Sequence, residues 1–88
     1  MDYVKMIHSI IDDIVDNKDG VLIREIPEEN GKDKTILVAC DKEDVSRLIG
    51  RHGSTAKAIR EVINIAAKLD ETHVHLKFES FEEDEEEA

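Results

Sequence analysis

The apolar residues of this chain switch repeatedly between helical and strand spacing, and the order of those switches limits the fold more than any single motif. From Tyr3 to Val15 they fall at Tyr3, Val4, Ile7, Ile10, Ile11, Ile14 and Val15, steps of three and four that gather them on one helical face. Asp2 is placed to cap that helix, and Asn17-Lys18-Asp19-Gly20 supplies turn residues at its end. Val21–Ile26 then reads as a short strand stopped by Pro27, and Thr35–Cys40 as a second. The polar stretch between them carries Asn30-Gly31 and has hairpin length.

At Asp41 the period changes back. Asp41 is a candidate N-cap with Asp44 three residues on, and Val45, Leu48 and Ile49 follow at helical spacing until Gly50 and Gly53 break the run. Ser54 or Thr55 can cap a third helix that runs to about Leu69, with Ala56, Ile59, Val62, Ile63, Ala66 and Ala67 as its buried stripe. Asp70-Glu71 makes a turn. Thr72–Phe78 alternates strictly, with Val74, Leu76 and Phe78 inward and His73, His75 and Lys77 outward. The predicted order is αββααβ, an α+β two-layer sandwich of a three-stranded sheet with three helices on one face.

Eighty-eight residues suit one module, here residues 1–81, and such a module buries only about 60% of its unfolded surface. Residues 82–88 hold a run of acids with no apolar partner and are expected to form a disordered tail. A start without a basic leader, and the lack of any apolar run near the roughly 20 residues of a bilayer span, predict a soluble cytoplasmic protein without a membrane partner. Cys40 is the single cysteine, set in an apolar run, and reads as a small buried hydrophobe rather than a nucleophile.

A net charge of −10 argues against a polyanionic partner, but the charge is unevenly spread. Six acids stand in residues 82–87, so residues 1–81 carry −4 of the −10. Between Val45 and Arg60 there are four cations, Arg47, Arg51, Lys57 and Arg60, and no acid. This basic stretch contains Gly50-Arg51-His52-Gly53, placed between two helices. Glycines at both ends let the chain turn sharply and let a ligand backbone approach without a Cβ in the way. The helix that follows offers unpaired N–H groups and a positive dipole end to an anion. Arg51 and His52 at the tip, Ser54 behind it, and Arg47, Lys57 and Arg60 on the flanking helices are candidate contacts to successive phosphates. Val45, Leu48, Ile49 and Ile59 are candidates for an apolar floor under unstacked bases. Such a cleft suits single-stranded RNA, about four nucleotides at a time; single-stranded DNA is not separated from it by charge and stacking.

Two glycines three apart are weak on their own, but the run Leu48-Ile49-Gly50-Arg51-His52-Gly53-Ser54-Thr55-Ala56-Lys57-Ala58-Ile59 resembles the signature of KH domains, with a branched apolar residue before the loop and Lys-x-Ile after it. Ala56 stands where eukaryotic members usually carry a larger aliphatic side chain. The element order is similar to that of the type II, prokaryotic KH fold, and over roughly residues 1–79 the chain resembles the small bacterial single-KH proteins of the KhpA kind. That resemblance implies a cytoplasmic, RNA chaperone-like binder of low sequence specificity. It also implies a homodimer, or pairing with a larger KH protein of the Jag type, and a link to cell-envelope and division control.

Other classes have less to stand on. An enzyme holding a nucleotide phosphate is not supported: the loop is not a P-loop, no Lys-Ser/Thr follows its second glycine, and no general acid and base pair converge on it. His73 and His75 share a strand face but lack a third ligand near in sequence, so neither metal nor cofactor is expected. An adaptor that acts mainly through protein pairing is the competing reading. The scarcity of aromatics, only Tyr3, Phe78 and Phe81, predicts weak nucleic-acid binding on an aliphatic surface.

Overall fold

The computed structural model describes residues 1–81. The elements are α1 (Tyr3–Ile11), β1 (Leu22–Pro27), β2 (Asp33–Cys40), α2 (Lys42–Ile49), α3 (Ser54–Leu69) and β3 (His73–Ser80), with short 3-10 turns at Lys18–Gly20 and Arg51–Gly53. The αββααβ order and the two-layer arrangement are as predicted. The acidic stretch 82–88, expected to be a disordered tail, lies outside the described residues.

β2 is the central strand. It pairs antiparallel with β1, Leu22 opposite Ala39 and Pro27 opposite Lys34, and parallel with β3, Asp33 opposite His73 and Cys40 opposite Ser80. The hairpin follows from the Asn30 carboxamide, whose oxygen accepts from the Lys32 and Asp33 amides at 2.8 and 2.9 Å. The parallel pairing needs a crossover connection, and the α2–α3 unit is that crossover. Helices cover one sheet face, and the core lies between the layers. Tyr3, Ile7 and Ile11 of α1 meet Ile36, Val38 and Cys40 of β2, Leu48 of α2, Ile59, Ile63 and Ala67 of α3, and Val74 and Leu76 of β3. His73, His75 and Lys77 face out, as the alternation required.

Several boundaries differ from the expectation: β1 includes Pro27 rather than stopping before it, β2 starts at Asp33 rather than Thr35, and β3 runs to Ser80 rather than Phe78. α1 ends at Ile11 rather than Val15: the amides of Ile14 and Val15 both bond to the Ile11 carbonyl, and the next two amides, Asp16 and Asn17, donate to Asp44. Val15 still reaches the core, which is why the spacing reads as a longer helix. Asp41 does not cap α2 with its side chain but accepts from Asn17 Nδ2 at 3.1 Å. Neither Ser54 nor Thr55 caps α3; Gly53 holds the N-cap position, so that end is without a side-chain cap. Asp2, by contrast, caps α1 by accepting from the Lys5 amide at 3.0 Å.

The outer edge of β3 is closed by α3. Asn64 donates from Nδ2 to the Val74 carbonyl and accepts the Val74 amide on Oδ1, both at 3.1 Å, so its carboxamide mimics one residue of a neighbouring strand. Arg60 Nε donates to the Leu76 carbonyl at 3.1 Å. These bonds pin α3 along the sheet and aim its N-terminus at the loop that precedes it.

Candidate nucleic-acid interface

The loop between α2 and α3 has a backbone that most residues resist. Gly50 ends α2 at φ 77° and ψ 178°, a region almost confined to glycine. A Cβ there would lie 2.9 Å from the Thr55 amide nitrogen and nearer still to the Thr55 side chain. Gly53 is left-handed at φ 76°, with open space where a Cβ would stand. His52 between them is left-handed too, at φ 58°, a conformation His adopts more readily than branched residues do. The Gly53 amide donates to the Gly50 carbonyl at 3.2 Å and closes the turn. Arg51 and His52 are therefore held out in solvent, and neither has an ion pair or side-chain hydrogen bond among the described residues.

The four cations divide into two kinds. Arg51 and Lys57 are exposed and uncommitted among the described residues. Arg47 and Arg60 are already engaged: Arg47 Nη1 lies 2.5 Å from Asp44 Oδ1, and Arg60 both bonds to β3 and stands 5.4 Å from the Phe78 ring centre. Arg47 sits in the last turn of α2 and still exposes much of its side chain, whereas Arg60 lies further along α3 and is tied to the sheet. The α3 N-terminus has no acid in its first turn and no capping side chain, so its dipole faces the loop without an opposing side-chain charge, although the Ser54 amide already donates to the Arg51 carbonyl. Ser54 is exposed at that position.

The apolar floor is smaller than expected. Ile49 is 39% exposed and Val45 half-buried, but Leu48 and Ile59 are core residues that no ligand reaches. Their spacing marks the same helical faces, and the core claims the inward one.

Asp44, which the sequence presents only as a first-turn acid, is instead the one buried charged residue among those described, 1% exposed. Oδ1 accepts the Asp16 amide at 2.8 Å and Oδ2 the Asn17 amide at 3.0 Å, with Arg47 as counter-charge. The Asp16 amide above all, then the Asn17 amide and Arg47, hold its carboxyl below the ordinary carboxylate range against the opposing effect of burial. It fastens the segment after α1 to the start of α2. One signal was available: Asp44 and Leu48 are i, i+4 and share the inward face of α2.

The sequence matches the family model described as KhpA/KhpB, KH domain, over residues 4–78. The chain belongs to the KhpA/KhpB KH-domain family. The matched span runs from α1 into β3 and contains the whole glycine loop, so the sandwich is the KH-type fold. The RNA-binding protein KhpA of Listeria monocytogenes serovar 1/2a is 33% identical over 73 residues, covering 83% of this chain and 93% of that protein. The RNA-binding protein KhpA of Borreliella burgdorferi is 32% identical over 75 residues, 84% of this chain and 88% of that protein. For the KhpA of Halalkalibacterium halodurans the identity is 33% over 63 residues, covering 72% and 80%. No solved structure matches the chain.

Elsewhere in this KhpA/KhpB-family domain, His73 and His75 stand ring against ring at 4.5 Å on the outer sheet face. No group of three potential metal ligands occurs among the described residues. Cys40 is fully buried, and burial, then Asp44 and Asp41, push its thiol up to about 11. No helix among the described residues is long and apolar enough to cross a membrane.

Proposed function

We propose that the chain is a non-catalytic, cytoplasmic binder of single-stranded RNA, chaperone-like in its low sequence preference, that grips the RNA backbone with the Gly50–Gly53 loop. The observation that carries this reading is the exposure of Arg51 and His52 on a left-handed turn directly before the uncapped N-terminus of α3. Two side chains with donors and the positive end of the α3 dipole then face one ligand chain, which suits successive phosphates. Lys57 and Ser54 extend the contact along α3, Arg47 adds its exposed guanidinium edge, and Ile49 offers apolar surface to a base. Arg60 contributes field rather than a contact, being tied to β3. The Listeria and Borreliella relatives are themselves named RNA-binding proteins, which supports the same assignment.

The test is fluorescence anisotropy of short labelled RNAs against the wild type and Arg51→Asp/His52→Asp, at two salt concentrations, with circular dichroism as the folding control. Binding by the wild type that weakens with salt and is lost in the folded double variant is the expected result. If both proteins bind alike, the loop is not the site.

A second reading, an adaptor that pairs with itself or with a larger Jag-type KH protein and contacts RNA only secondarily, is favoured by one observation. Three large apolar side chains stand in solvent on α3. On that reading the double loop variant keeps its cellular function, including any part in envelope or division control.

A further inference from the structure

β3 delivers the chain to the end of the domain that carries the glycine loop. α3 runs antiparallel to β3: Asn64 bonds to Val74 and, one turn earlier in the helix, Arg60 bonds to Leu76. At helical and strand rise, the residues from Arg60 back to Gly53 and those from Leu76 on to Glu79 both cover about 10 Å, so Gly53 stands level with Glu79. The Phe81 amide then donates to the Cys40 carbonyl at 3.1 Å, which holds the chain beside the start of α2 at Lys42. α2 covers only about 12 Å, and the loop follows its far end.

Six acids come directly after Phe81, from Glu82 to Glu87. Extended, such a run reaches up to about 20 Å, enough to pass along α2 to the loop. Asp41 and Glu43 at the root of α2 repel it. Beyond them stand Arg47 with its exposed edge, and Arg51 and Lys57 with no ion pair among the described residues. Cations spaced for successive phosphates also suit successive carboxylates, and a short tether gives the run a local concentration on the order of millimolar. The family match ends at residue 78, so the acids are an addition to the domain.

We propose that residues 82–87 occupy the surface formed by Arg51, His52 and Lys57 within the same chain, so that RNA must displace the chain's own polyanion in order to bind. This rests on the reading of the loop as the phosphate-binding surface.

The test keeps the full chain and replaces the six acids by their amides, Glu82→Gln, Glu83→Gln, Asp84→Asn, Glu85→Gln, Glu86→Gln and Glu87→Gln together. At low salt and without RNA, the amide NMR signals of Arg51, His52, Gly53 and Lys57 are expected to differ between this variant and the wild type, independently of protein concentration, while those of β1 coincide. The variant should bind a short labelled RNA several-fold more tightly at low salt, with the gap closing as salt screens the internal contact. Loop signals that do not differ overturn the inference even if affinity rises, since a gain without contact is general charge repulsion. A difference that grows with protein concentration places the acids on another copy and overturns the contact within one chain. Equal RNA affinity despite moved loop signals overturns the competition. If the loop signals move and neither protein binds RNA at any salt, the internal contact stands and the RNA reading falls.

Discussion

Gly50 and Gly53 look equivalent in the sequence but carry unequal constraints. Gly53→Ala meets only the cost of a left-handed alanine, about 1 kcal/mol, because nothing lies near its absent Cβ. Gly50→Ala adds a collision with Thr55 and is expected to lower the melting temperature clearly more, a difference thermal denaturation reads directly. Among the cations, Arg51→Ala and Lys57→Ala should each reduce the slope of log affinity against log salt by about 0.7 if each neutralises one phosphate. Asp44 governs pH behaviour. Its folded carboxyl is held down, so its stabilising effect is fully present above the unfolded carboxylate range and is lost as pH falls through the lower folded value. Asp44→Asn should therefore melt several degrees below the wild type at neutral pH, with the gap closing in acid. Both glycines were legible as a motif. The role of Asp44 was not, since its amide donors lie 28 and 27 residues away and leave no spacing in the sequence.

At the scale of elements, α3 does more than fill the layer. The Asn64 carboxamide and Arg60 guanidinium occupy donors and acceptors that an edge strand would otherwise show to solvent. Asn64→Ala should cost about 1 kcal/mol and speed hydrogen exchange at the Val74 amide, which has lost its acceptor, while exchange in the β1–β2 ladder stays unchanged. α3 itself was only partly legible. Its length was clear from the period while its start was displaced to Gly53 as N-cap, and Val62 falls within the predicted buried stripe because a helix apolar on two sides gives a spacing signal too broad to separate them. The same breadth hid the loss of Leu48 and Ile59 from the apolar floor. Asn64 left no signal in the sequence, because its role depends on its register against Val74, ten residues away.

For the molecule as a whole, the αββααβ order was legible because each element declares its own period, and the two breaks at Gly50 and Gly53 keep α2 and α3 apart. The sheet order and the parallel pairing of β2 with β3 were not, since no local pattern states which strands become neighbours. Net charge misleads at this scale: a chain of −10 presents uncommitted cations at one end of α3. Screening therefore acts on this molecule twice: added salt weakens the attraction of the loop cations for phosphate and also relieves the repulsion between the acidic remainder and the same polyanion, so the overall salt slope of binding should be shallower than the loop cations alone would give.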